Sequence, residues 1–277
     1  MALQYDPQVL VYTSDATPFR LDGVKPLFDR LLRGTKPVVL FVHGRGDEPK
    51  KSLKGTGFFA NLVGVEGRAV QKLEQYGSAV VMFSWDSRRG SGLTDRERPL
   101  ANMPDAARRF AAVLGEVAKA AAAAPASRPP LTLLAHSMGA IVVQTYVQQN
   151  GGWRSPGAGP LFSNVVLSSA DADNVGHPAW VDAIDGMERV FVTVNPVDPM
   201  LNDSIEARQP NALALGRDPG LPLSNATYAM LQIRAHEIFT KKSDHPEIST
   251  FFATAFAGNV PSGDPQPGPG HRIRLRP

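Results

Sequence analysis

The pentapeptide Ala135-His136-Ser137-Met138-Gly139 constrains this chain more than any other feature. It follows the apolar run Leu131-Thr132-Leu133-Leu134 and precedes an apolar-periodic stretch over 141–149 that Asn150-Gly151 ends. A serine between a buried strand and a helix, flanked at two residues on either side by small side chains, has the form of a nucleophile elbow. The turn is so tight that bulk at either flank would collide. Gly139 meets that need on one side. Ala135, the smallest residue with a Cβ, stands on the other, where glycine is usual. Such an elbow lifts the serine Oγ above the sheet edge. It also sets the Met138 backbone N–H beside an incoming carbonyl.

The rest of the chain reads as strands alternating with helices. Pro37-Val38-Val39-Leu40-Phe41-Val42 is a continuous apolar run, as expected of a strand buried on both faces. Further strands are expected at 9–12, 79–83, 131–134, 165–167, 190–194 and 229–233. Helices are expected where Phe59, Leu62, Val63, Val70 and Leu73 share a face, over the Ala-rich stretch carrying Phe110, Val113, Leu114 and Val117, and where Ile248, Phe251, Phe252, Ala255 and Phe256 close the pattern. This alternation predicts an α/β fold with a mainly parallel central sheet and helices on both faces. Residues 1–257 read as one domain with loop inserts at 86–104 and 196–225. Residues 258–277, rich in proline and glycine, read as a flexible or draped tail.

Candidates for the remaining chemistry follow from chain order. In folds with this elbow the order is Ser, acid, His. Asp198 lies just past the strand at 190–194, through Asn195-Pro196-Val197, and is the preferred acid. Asp171 and Asp173, one strand earlier, are its rivals, while Asp203 and Asp244 read as surface residues. His245 immediately precedes Pro246, which suits the first position of a helix, and is favoured as the base over His236. His236 adjoins a strand, where a packing or capping role is expected. His177 precedes the acid, and His271 lies in the tail. The loop His43-Gly44-Arg45-Gly46 ends the buried strand, so the Arg45 backbone N–H joins that of Met138 as an expected oxyanion donor, with His43 structural.

Composition removes other chemistries. The 277 residues contain no cysteine, which excludes disulfides, thiolate metal sites and a cysteine nucleophile. The 29 Lys and Arg against 26 Asp and Glu are spread along the chain, which argues against a nucleic-acid surface. No apolar run reaches the roughly 18 residues of a membrane span. No signal peptide is visible in residues 1–20, so a cytoplasmic location is the default expectation. His271-Arg272-Ile273-Arg274-Leu275-Arg276 could lie on anionic lipid but reads better as a solvated tail. Phe58-Phe59 could line an acyl pocket, though their spacing fits a core. The sequons Asn202-Asp203-Ser204 and Asn225-Ala226-Thr227 matter only in a glycosylating host.

Together the residues resemble the serine α/β-hydrolase superfamily, and within it the bacterial esterase- and lipase-like enzymes. The resemblance rests on Phe41-Val42-His43-Gly44, Phe83-Ser84-Trp85-Asp86 and the elbow. It continues through Val166-Leu167-Ser168-Ser169-Ala170-Asp171 and Asn195-Pro196-Val197-Asp198-Pro199-Met200-Leu201, and covers roughly 37–257. It implies an acyl-enzyme mechanism on a small-molecule or lipid ester, with Ser137, Asp198 and His245 as the triad and no metal or organic cofactor. Thioesterase, peptidase or acyltransferase activity on the same triad is also compatible with it, as is a non-catalytic binding module of hydrolase shape. A serine at the elbow argues against haloalkane dehalogenase or epoxide hydrolase chemistry, which places a carboxylate there.

Overall fold

The structure is a computed structural model, and it describes residues 6–15, 17–45, 72–87, 96–153, 160–185, 187–204, 212–240, 244–267 and 270–275. The strands are β1 (Val11–Thr13), β2 (Pro18–Phe19), β3 (Val38–Val42), β4 (Ala79–Phe83), β5 (Leu131–His136), β6 (Asn164–Ser168), β7 (Arg189–Val194), β8 (Thr227–Met230), β9 (Gly263–Pro265) and β10 (His271–Leu275). The helices are α1 (Leu21–Leu32), α2 (Glu97–Ala101), α3 (Met103–Ala123), α4 (Gly139–Asn150), α5 (Pro178–Val181), α6 (Pro199–Asp203) and α7 (Pro246–Phe256).

All the strands join one sheet in the order β2-β1-β4-β3-β5-β6-β7-β8-β10-β9. The pairs from β4 through β10 are parallel; β1–β4, β1–β2 and β10–β9 are antiparallel. Alternation along the central strands sends side chains into two cores. Val38, Leu40 and Val42 face α1, α3 and α4. Val39 and Phe41 face the opposite side, where Phe251, Phe252 and Phe256 of α7 pack. The chain order reverses direction at β3. From there β4 adds on one side, while β5, β6, β7 and β8 add on the other. The crevice between the carboxyl ends of β3 and β5 is therefore the switch point, where ligands of open α/β sheets bind. His43–Arg45 and Ser137 both issue there.

Several expectations change. The stretch expected to be a flexible or draped tail forms β9 and β10, with Ile273 paired to Ala229 and Arg274 to Met230. Period-2 alternation puts Ile273 and Leu275 against the α7-side core, which gives this segment an apolar face that its proline and glycine content hides. The strand expected at 229–233 is β8 at Thr227–Met230, and 231–235 is a loop instead. Helix α1 adds to the expected elements. Its buried Val24, Leu27, Phe28 and Leu32 form one helical stripe despite Pro26 within it. The expected helix bearing Phe59, Leu62, Val63 and Val70, and the pair Phe58-Phe59, lie outside the described residues, as do parts of both inserts. No described helix is long and apolar enough to cross a membrane.

Candidate active site

Ser137 sits between β5 and α4 with φ of +53° and is 7% exposed. A left-handed conformation at a residue with a Cβ costs about 1–3 kcal/mol and persists only where surrounding contacts hold it. Those contacts come from the end of β6, the loop after it and the first turn of α4. The Ser137 N–H donates to the Ser168 carbonyl at 3.0 Å, and the Ser137 carbonyl accepts from Asp171 N–H at 3.0 Å and from Ala140 N–H at 3.1 Å. Gly139 is required for a second reason. A Cβ there would lie 2.3 Å from the Val42 carbonyl oxygen and 2.8 Å from that of His43. Its absence lets the start of α4 press against the end of β3, so that Met138 and the loop His43–Arg45 share one corner of the crevice. His43 has a structural part in that corner. Its Nδ1 bonds the Gly44 carbonyl at 2.8 Å, its ring stacks on Trp85, and Trp85 Nε1 donates to its carbonyl at 2.9 Å.

Asp198 is fully buried and does two things at once. Its Oδ1 caps the short helix α6 by accepting from Met200 N–H at 3.0 Å and Leu201 N–H at 3.2 Å. Its Oδ2 meets Nδ1 of His236 at 2.9 Å. A carboxylate only accepts, so Nδ1 is the donor in this contact and Nε2 is the nitrogen left for another partner. His236 is 17% exposed, and its ring centroid stands 4.7 Å from that of His136, the residue before the elbow serine.

His245, the histidine favoured from the sequence, is elsewhere. It precedes Pro246 at the start of α7, as expected, but its Nδ1 bonds Glu247 at 3.1 Å. It borders a cavity of about 540 Å³ with Arg272, Arg274 and Gln232, whose lining includes neither Ser137, Asp198 nor His236. The structure thus joins Asp198 to His236 and not to His245. The reason is the early end of β8, which turns 231–235 into a loop and sets His236 against Asp198 and beside His136. Chain order alone allowed both histidines. A signal for His236 was its position just past the strand next in line after the one that carries the acid. The rival acid Asp171 is already occupied: Arg96 Nε approaches its carboxylate at 3.3 Å and Ser204 Oγ donates at 3.1 Å.

The match to the alpha/beta hydrolase family runs over residues 39–274, from β3 to β10. The chain belongs to that family. Its sheet order and elbow agree with the membership. Among solved structures, a Pyrobaculum calidifontis esterase is 12% identical with a TM-score of 0.42, covering 92% of this chain and 95% of its own. An esterase/lipase from an uncultured bacterium is 11% identical with a TM-score of 0.42, covering 92% of this chain and 85% of its own. A Mycobacterium tuberculosis puromycin-hydrolyzing peptidase is 14% identical with a TM-score of 0.44, covering 87% of this chain and 36% of its own. No curated protein sequence matches the chain. Among the described residues of this hydrolase, no three His, Asp or Glu side chains converge into a group that could hold a metal.

Proposed function

We propose that this hydrolase cleaves carboxylic esters through an acyl-enzyme, with Ser137 as nucleophile, His236 as base and Asp198 as the acid that orients it. The observation that carries the reading is the 2.9 Å contact between Asp198 Oδ2 and His236 Nδ1 beside a serine held at φ of +53°. That contact leaves Nε2 as the basic nitrogen. Nε2 takes the Ser137 hydroxyl proton as Oγ attacks the ester carbonyl. The backbone N–H groups of Met138 and Arg45 donate to the oxyanion. The imidazolium, stabilised by Asp198, returns the proton to the departing alcohol. Water, deprotonated by the same nitrogen, then releases the acid and restores Ser137.

The substrate class is a small-molecule or lipid ester. Thioesters and amides could be cleaved by the same steps, so a leaving-group series separates these activities. The direct test is intact mass after treatment with a fluorophosphonate. One adduct on the wild type and none on Ser137→Ala is the expected result. A folded wild type that takes no adduct would overturn the reading and favour a binding module of hydrolase shape.

A further inference from the structure

The loop that carries His236 runs from the end of β8 to the short 3-10 turn Ile238–Thr240, whose Ile238 N–H donates to the His236 carbonyl at 2.9 Å, and the proposed base must meet both Asp198 and Ser137. Asn195, the fully buried residue just past β7, supplies a further restraint. Its Nδ2 donates to the Ile233 carbonyl at 2.6 Å and to the Ala235 carbonyl at 3.0 Å. Its Oδ1 accepts from Ile233 N–H at 3.1 Å. Its own backbone carbonyl accepts from Asp198 N–H at 3.1 Å, and its N–H donates to the Gly216 carbonyl at 2.7 Å. One residue therefore holds the acid's turn by its main chain and the base's loop by its side chain. The amide has one workable orientation, because a flip would set Oδ1 against two carbonyl oxygens. Ser169, held at φ of +45°, adds a third anchor by donating its Oγ to the His236 carbonyl at 2.7 Å.

We propose that Asn195 is the positioning residue of this site, setting the Asp198–His236 contact by tethering both partners. The inference rests on the triad proposed above. Its chemical logic is that an error of about 1 Å in a reacting group can cost on the order of 100-fold in rate. Aspartate at this position keeps the volume but replaces two donors with an acceptor aimed at two carbonyls. Alanine removes the tether.

The test compares Asn195→Asp and Asn195→Ala with Asn164→Ala. Asn164 is also fully buried and also donates through Nδ2 to two carbonyls, those of Ala255 at 2.7 Å and Asn259 at 3.0 Å, but at the opposite end of the sheet. The readouts are kcat and KM on a p-nitrophenyl ester, the rate of fluorophosphonate labelling, the melting temperature and the downfield proton resonance of the His236 Nδ1–H. The expected result is a fall in kcat of roughly 30- to 100-fold in both Asn195 variants, with KM nearly unchanged. Labelling slows in parallel and the downfield resonance is lost. Asn164→Ala melts lower yet keeps its kcat and its resonance. Wild-type kcat in a folded Asn195→Asp would overturn the proposal, as would an equal loss in Asn164→Ala. Failure of the parent triad looks different: wild-type protein would then take no label at Ser137.

Discussion

The two ends of the central sheet are sewn with the same material and serve different ends. At the amino end, Asn164 and Thr132 hold the Ala255 carbonyl in the last turn of α7, and Arg189 holds that of Gly258 just beyond it. At the carboxyl end, Asn195 and Ser169 hold the carbonyls of Ile233, Ala235 and His236, which belong to a loop. The first set of bonds closes a helix and contributes stability. The second holds a side chain in a chosen place. Both φ-positive serines are also at the carboxyl end, at Ser137 and Ser169. Buried polar bonds thus fix geometry where the strand ends meet the crevice, and close the helix where they do not.

Glycine substitutions separate the two ends by the largest effect. Gly139→Ala brings a Cβ within 2.3 Å of the Val42 carbonyl oxygen, a backbone atom that cannot swing away, and should destabilise by about 3 kcal/mol while also disabling the elbow. Gly258→Ala at the amino end has φ of +74° and a Cβ contact of 2.6 Å with Pro130, and should cost about 2 kcal/mol. The second variant should keep its specific activity at temperatures where it stays folded. Denaturant melts paired with ester turnover check both.

A smaller effect follows from His177, whose Nε2 meets the Tyr228 hydroxyl at 2.7 Å. Burial holds this imidazole below its ordinary value of 6.5, opposed in part by the Asn174 carbonyl and Asp182. The unfolded chain therefore takes up a proton near 6.5 that the native protein does not. The stability this gives is present above that pH and declines as pH falls below it, by at most about 1.4 kcal/mol per pH unit. Denaturation of His177→Gln against the wild type between neutral and mildly acidic pH should show the flatter slope in the variant. The smallest effect belongs to neither end. Gly115 lies within α3, and nothing stands within 4 Å of the place an added Cβ would take. Gly115→Ala should therefore raise stability by about 0.5–1 kcal/mol with turnover unchanged.

Much of the fold was legible because buried parallel strands are written as continuous apolar runs, as at 38–42, and the elbow is a local motif. Asp198 was legible as a candidate because it follows its strand closely. What escaped depended on contacts between distant segments. β10 alternates arginine with apolar residues for only five positions, and its strand character comes from pairing with β8. The pairing of Asp198 with His236 is a bond between loops 38 residues apart, set by where β8 stops. Neither is encoded in a local pattern.

The proposed base stands on the Asn195-tethered loop and not at the start of α7. Measuring kcat/KM for His236→Ala and His245→Ala on the same ester tests it most directly. A loss of about 10³- to 10⁴-fold for His236→Ala, with His245→Ala within about threefold of wild type, is the predicted result. The reverse pattern, with His245→Ala inactive and His236→Ala active, would contradict it.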